Sequence, residues 1–309
     1  MILPFRALSG TRSQKTRWLL YSVITAGLAT VAVLGWNYWS YTQAATAQQA
    51  AAGVARPNGG TLIISGGGGV PDTVRARFYE LAGGPQARIV VIPTASIYAD
   101  EPRIQASLDP WKKFNSASLR MLHTRKRELA DDVEFVKPLA EATGVWIGGG
   151  RQKLLSEAYV GTEVERQLMA LLDRGGVIGG TSAGAAIMTR VMIADGRGKA
   201  IMGTGFDFLQ GAVVDQHFMK RNRVGRLLGV LEEHPDLIGF GIDERTALVV
   251  NVRDSRLRVI GDSYVFACVP DQTGHPARLE ILKPGDEADV ASLKDMDKPI
   301  VSSIDLEAH

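Results

Sequence analysis

Gly180-Thr181-Ser182-Ala183-Gly184 fits the pattern G-x-S-x-G, which places a serine on a sharp turn between a strand and a helix. The stretch before it, Gly176 to Gly179, is apolar and strand-like, and the segment after it, Ala183 to Met188, is apolar and Ala-rich. Small residues on both sides of Ser182 let such a turn hold the hydroxyl clear of the backbone. The start of the following helix offers N–H groups where an oxyanion would form. The chemistry is nucleophilic attack on a carbonyl, and it needs a base and an acid that orients the base.

Four histidines follow Ser182. His217 ends the strand-like segment Val213-Val214-Asp215-Gln216 and is the best base on context. His234 precedes Pro235 at a helix end and reads as a partner of the helix dipole. His275 sits in an exposed Thr-Gly-His-Pro turn, and His309 is the last residue. The orienting acid is expected in Gly241-Ile242-Asp243-Glu244, directly after an apolar strand; from the residues alone Asp243 and Glu244 are tied. The order serine–histidine–acid differs from that of α/β-hydrolases, which would require Asp243 or Glu244 to work with His275. Between base and acid runs Lys220-Arg221-Asn222-Arg223-Val224-Gly225-Arg226. Arg223 and Arg226 are spaced to share a helix face, and forked guanidinium groups there suit a substrate carboxylate.

Other chemistries fit poorly. The single cysteine, Cys268, excludes an internal disulfide framework and a Cys-rich zinc site. Five histidines without an HExxH or HxH spacing exclude a multi-histidine metal site. A net charge of +2 with no aromatic-interleaved basic patch argues against a nucleic-acid partner. The Gly66 to Gly69 run ends in Val70-Pro71, so it fails the dinucleotide fingerprint, and no GxxxxGK[ST] is present. Neither a cofactor nor a metal is expected.

From Thr61 short apolar runs alternate with helical stretches. TLIIS (Thr61 to Ser65), RIVVI (Arg88 to Ile92), SLRML (Ser118 to Leu122), GVWI (Gly144 to Ile147), GVIG (Gly176 to Gly179) and IGFGI (Ile238 to Ile242) read as strands. Their nearly continuous Val, Ile and Leu content suits parallel strands covered on both faces. Helices are expected over Asp72 to Leu81, Gln105 to Phe114, Gln152 to Val160 and Glu163 to Arg174. The alternation predicts an α/β fold with a doubly wound, mostly parallel sheet. Beyond Ala247, ALVVNV, RLRVI and YVFACV read as antiparallel hairpin strands, turning at Asp254-Ser255 and Gly261-Asp262. Three glycine-rich loops, Gly66 to Gly69, Gly148 to Gly150 and Gly179-Gly180, follow strands and are expected to meet where the ligand crevice of such a sheet lies.

The N-terminal part is of a different kind. Residues 1 to 71 contain no acid; Arg6, Arg12, Lys15 and Arg17 precede an uncharged run from Trp18 to Trp36. At 1.5 Å per residue that run spans the ~30 Å hydrocarbon core of a bilayer. The charge asymmetry predicts an N-terminus in the cytoplasm and the rest outside. The expectation is an uncleaved membrane anchor and an extracytoplasmic enzyme; the alternative is a signal peptide cleaved near Ala45-Thr46-Ala47. The organisation is then 1–58 basic segment, anchor (18–36) and tether, 59–284 catalytic α/β domain, and 285–309 peripheral tail.

Four motifs in this order resemble the cyanophycinase family of serine peptidases, the group that also contains dipeptidase E. They are Gly149-Gly150-Arg151-Gln152, GGTSAGA (Gly179 to Ala185), DQHF with the spaced arginines (Asp215 to Arg226) and GIDE-x-TA (Gly241 to Ala247). The resemblance covers roughly residues 60 to 270. It implies a sheet similar to class I glutamine amidotransferases, with Ser182 as nucleophile, His217 as base and Glu244 rather than Asp243 as the acid. It implies a substrate pocket lined by Gln152, Asp215, Gln216, Arg221, Arg223 and Arg226. The N–H groups of Ala183 and of Gly149 or Gly150 are then expected to form the oxyanion hole. Such proteins need no cofactor, commonly form homodimers and cleave cyanophycin, a poly-aspartate bearing arginine on its side chains. The acid that usually precedes the glutamine is Arg151 here. The expected function is hydrolysis of cyanophycin or related acidic, β-aspartyl (isoaspartyl) peptides through an acyl-enzyme on Ser182. The alternatives are a hydrolase-type esterase or amidase, or a catalytically silent, membrane-tethered binding protein.

Overall fold

The structure, a computed structural model, describes residues 59–271 and 276–294. The anchor and tether expected within 1–58, together with His275 and His309, lie outside the described residues. Among the described residues no helix is long and apolar enough to cross a membrane.

The chain runs β1 (Thr61–Ser65), α1 (Asp72–Leu81), β2 (Arg88–Ile92), α2 (Asp109–Lys112), β3 (Ser118–Met121), α3 (Arg127–Ala130), α4 (Val133–Glu141), β4 (Gly144–Ile147), α5 (Gln152–Tyr159), α6 (Glu163–Asp173), β5 (Val177–Thr181) and α7 (Ala183–Ala186). It continues with β6 (Val191–Asp195), β7 (Ile201–Thr204), β8 (Ala212–Gln216), α8 (Val224–Glu233), β9 (Ile238–Ile242), β10 (Thr246–Asn251), β11 (Arg256–Gly261), β12 (Val265–Pro270), β13 (Pro276–Leu282), β14 (Glu287–Asp289) and α9 (Val290–Lys294).

The main sheet has the order β14-β11-β10-β1-β5-β4-β2-β3. β1, β5, β4, β2 and β3 are parallel; β10, β11 and β14 add an antiparallel wing. Alternation along each strand sends side chains to two cores. Leu62, Ile64, Val90, Ile92, Val145 and Ile147 join one. Ile63, Ile89, Val91 and Trp146 join the other, with Val74 and Phe78 of α1 and Trp111 of α2. Each such side chain, fully buried, contributes ~1.5–3 kcal/mol relative to exposure.

Three expectations are corrected. The 105–114 helix is instead a 3₁₀ turn, Pro102–Leu108, followed by the short α2. Pro110, inside the expected span, removes a backbone donor that a continuous α-helix would need. The strands after Ala247 do not form one hairpin series. β10 and β11 pair in the main sheet, but β12 crosses to a second sheet of order β13-β12-β9-β8, and Gly261-Asp262 is the crossing point. Ile238–Ile242, expected in the main sheet, is β9 of this second sheet, parallel to β8.

Val214, Phe240, Val265 and Ala267 turn one face of the small sheet into the main core. Val213, Phe266 and Cys268 on its other face are covered by Leu227, Val230 and Leu231 of α8, whose apolar residues recur at helical spacing. The stretch from Pro284, expected as a peripheral tail, supplies the edge strand β14, and Leu293 behind it is fully buried.

Candidate active site

Ser182 stands between β5 and α7 with φ 53° and ψ −109°. A non-glycine residue held there costs on the order of 1–3 kcal/mol, strain of the kind concentrated at functional sites. The flanking glycines make the turn possible. A Cβ on Gly180 would lie 2.3 Å from the Gly184 carbonyl oxygen, and one on Gly184 would lie 2.2 Å from that of Ile147.

His217 follows β8 and Glu244 follows β9, so both residues leave the ends of adjacent parallel strands of the small sheet. Ser182 Oγ lies 2.9 Å from His217 Nε2, and His217 Nδ1 lies 2.6 Å from Glu244 Oε1. With Glu244 ionised, Nδ1–H donates to it and Nε2 is left to accept from the serine hydroxyl. The tie between the two acids is thereby broken: Asp243 instead accepts from Lys220 N–H at 3.1 Å and from the Ser263 hydroxyl at 2.9 Å. His217 is 8% exposed. Burial lowers its pKa below the ordinary 6.5; the Glu244 hydrogen bond opposes this, and the charge of Arg221 adds to it.

The three segments that supply these residues are tied to one glycine loop. Ser182 N–H donates to the Ser65 carbonyl (2.9 Å), His217 N–H to that of Gly66 (2.8 Å) and Arg245 N–H to that of Gly67 (2.8 Å). Gly67, at φ 102°, packs on the His217 ring, and Gly68, at φ 69°, packs on the Glu244 side chain. The second glycine loop lies against the serine: a Cβ on Gly149 would sit 3.5 Å from Ser182 Cβ. Among the described residues, the N–H groups of Gly149, Gly150 and Ala183 have no hydrogen-bond acceptor. The three glycine loops expected at the crevice therefore do meet there.

A cavity of about 640 Å³ opens over Ser182, and its lining includes Gln152, Gln216, Arg221, Arg223 and Arg226. Asp215, expected among them, does not line it. It is fully buried, and Arg226 Nε (2.8 Å) and Arg223 Nη1 (3.3 Å) both donate to it. Arg226 also donates to the Gly196 carbonyl, and Arg223 to the Gln216 side chain at 2.8 Å. One carboxylate thus holds two guanidinium groups. Burial, with Arg226 and Arg221 close by, lowers the Arg223 pKa to about 10 against the pull of Asp215. Gln152 Nε2 donates to the Ile193 carbonyl at 2.7 Å, tying α5 to β6.

Sequence reasoning missed a brace behind the second glycine loop. Thr94 Oγ1 lies 2.8 Å from His123 Nδ1 and 2.7 Å from the Tyr159 hydroxyl, and His123 Nε2 lies 3.1 Å from Asp100. Arg125 donates to Asp100 and to the Thr94 and Ser96 carbonyls. The braced segment presents the Ala95 carbonyl, which accepts from Arg151 N–H at 2.8 Å and blocks any side chain at Gly150. Thr94 and His123 stand just past the ends of the neighbouring parallel strands β2 and β3. That placement was the available signal. Among the described residues no cluster of His, Cys, Asp and Glu could hold a metal ion.

The family model for Peptidase family S51 matches residues 61–260. A cyanophycinase from Nostoc sp. is 34% identical over 250 residues, 71% of this chain and 82% of its own. One from Synechococcus elongatus is 35% identical over 234 residues, 70% and 71% of the two chains. Among solved structures, a peptidase from an acI-B1 Actinobacterium superposes with a TM-score of 0.61 at 25% identity, covering 75% of this chain and 97% of that one. With the fold and the matched span agreeing, the chain is a serine peptidase and belongs to peptidase family S51.

Proposed function

We propose that this peptidase hydrolyses β-aspartyl (isoaspartyl-type) peptides, the class that includes cyanophycin, through an acyl-enzyme on Ser182. The observation that carries this reading is the linear chain Ser182 Oγ–His217 Nε2–Glu244 Oε1, at 2.9 and 2.6 Å. His217 takes the serine proton as Oγ attacks the amide carbonyl. Glu244 holds the ring in the correct tautomer and stabilises the imidazolium. The N–H of Ala183 and that of Gly149 or Gly150 receive the developing oxyanion; one such donor is worth about 2.7–4 kcal/mol. His217 then gives its proton to the departing amine, and water activated by the same imidazole releases the acyl group. Arg221 and Arg223 on the cavity wall suit the carboxylates that such substrates carry.

The test is release of amines and dipeptides from cyanophycin and from synthetic β-aspartyl peptides, followed by mass spectrometry. Ser182→Ala is expected to lower kcat by on the order of 10⁴–10⁶. Retention of more than a tenth of the activity overturns the assignment. Outside the described residues, the 18–36 segment is proposed to anchor the enzyme to a membrane; fractionation of the full chain against a chain lacking that segment checks it.

A further inference from the structure

The cavity over Ser182 has an unbalanced charge. Arg151, Lys153, Arg221, Arg223 and Arg226 line it against a single acid, Asp195. Arg223 and Arg226 share Asp215, and Lys153 pairs with Glu157 at 3.5 Å. Among the described residues, Arg151 and Arg221 have no acidic partner. They come from different walls. Arg151 follows the glycine loop that lies on Ser182, and Arg221 follows His217, donating its N–H to the His217 carbonyl at 3.0 Å. Two uncompensated guanidinium groups flank the reacting serine from two segments.

We propose that the residue joined through the aspartyl β-carboxyl of the substrate is acidic: its free α-carboxylate meets Arg221 and its side-chain carboxylate meets Arg151. The inference rests on Ser182 being the nucleophile of a β-aspartyl peptidase. A guanidinium group accepts a carboxylate through two parallel N–H···O bonds. A substrate arginine brought to Arg151 meets like charge instead. Both arginines are exposed at the rim, where a single ion pair contributes little. The preference comes from exchanging attraction for repulsion at one position.

The experiment compares two-unit aspartyl peptides whose β-carboxyls carry either glutamate or arginine. Binding to the full chain bearing Ser182→Ala is measured by calorimetry, with and without Arg151→Glu, and turnover by the wild type is measured in parallel. The glutamate peptide is expected to bind about tenfold more tightly, and Arg151→Glu is expected to abolish or reverse that order. Equal affinities, tighter binding of the arginine peptide, binding of neither, or a preference that Arg151→Glu leaves untouched would each overturn the proposal. Glutamate-selective binding without turnover would instead sink the catalytic reading and leave the binding preference standing. Faster turnover of the arginine peptide, matched by its tighter binding, would do the opposite.

Discussion

Gly67 lies so close to the ring of His217 that a Cβ built on it would fall 2.3 Å from Cε1 and 2.6 Å from Nε2. No side chain is tolerated there unless the imidazole moves. Gly67→Ala is therefore expected to push Nε2 off the serine and to lower kcat by on the order of 10²-fold, the effect of a displacement near 1 Å. Gly69→Ala is the control. Its φ of 85° is equally unfavourable to a side chain, yet nothing lies within 4 Å of the new atom. It should cost stability by roughly 1–2 kcal/mol and leave turnover nearly intact. Steady-state kinetics beside thermal unfolding separates the two.

Ser182→Gly should make the protein more stable while abolishing activity. The backbone at 182 has φ 53° and ψ −109°, which glycine adopts at little cost. Removing that strain is expected to raise stability by about 1 kcal/mol. Denaturant melts of Ser182→Gly and Ser182→Ala against the wild type check this: both variants are inactive, and only the glycine form should be stabilised.

The acid limb of activity reports His217. The ring must be neutral to accept the serine proton, and its pKa is lowered from 6.5, chiefly by burial. Activity is therefore retained above that value and lost as pH falls through a midpoint below 6.5, visible in kcat/KM. Glu244→Gln removes the carboxylate charge that helps hold the pKa up, so the limb moves further to acid while the plateau falls by on the order of 10⁴-fold. Asp243→Asn should move neither, because Asp243 is bonded to Lys220 N–H and Ser263.

Asp215→Ala leaves Arg223 and Arg226 buried without their counter-charge. Removing one partner from a buried ionic group is expected to cost about 3–5 kcal/mol. Urea melts read the loss; Asp215→Asn, which keeps shape and acceptor capacity without the charge, should recover only part of it, and the unrecovered remainder is the electrostatic share.

The sequence announced this site unevenly. Ser182 was legible because its chemistry is local: strand, turn and helix lie within one short stretch. The continuous apolar runs of β1, β2 and β4 were legible because both of their faces are buried. β12 was misplaced because adjacency in the chain suggested a hairpin with β11, whereas its partners β9 and β13 are set by which sheet each face must cover. Asp243 and Glu244 could not be separated from spacing, since at a strand end the turn decides which side chain points to the histidine. Asp215 was expected at the pocket through the family resemblance alone, whereas its place after the run Ala212-Val213-Val214 marks a buried strand. The Thr94–His123–Asp100 brace left no motif, because its members sit on separate segments that only the fold brings together.

The three consecutive carbonyls of Ser65, Gly66 and Gly67 also tie activity to completeness of folding. They hold segments at 182, 217 and 245 that belong to two different sheets. During synthesis the acceptor loop emerges first and waits for three donors, the last of them beyond Glu244. A partly folded or locally opened chain has a serine but not the Ser182–His217–Glu244 arrangement, so it should be inactive. Heat inactivation should then coincide with loss of the tertiary fold rather than precede it, making turnover a direct reporter of the native population.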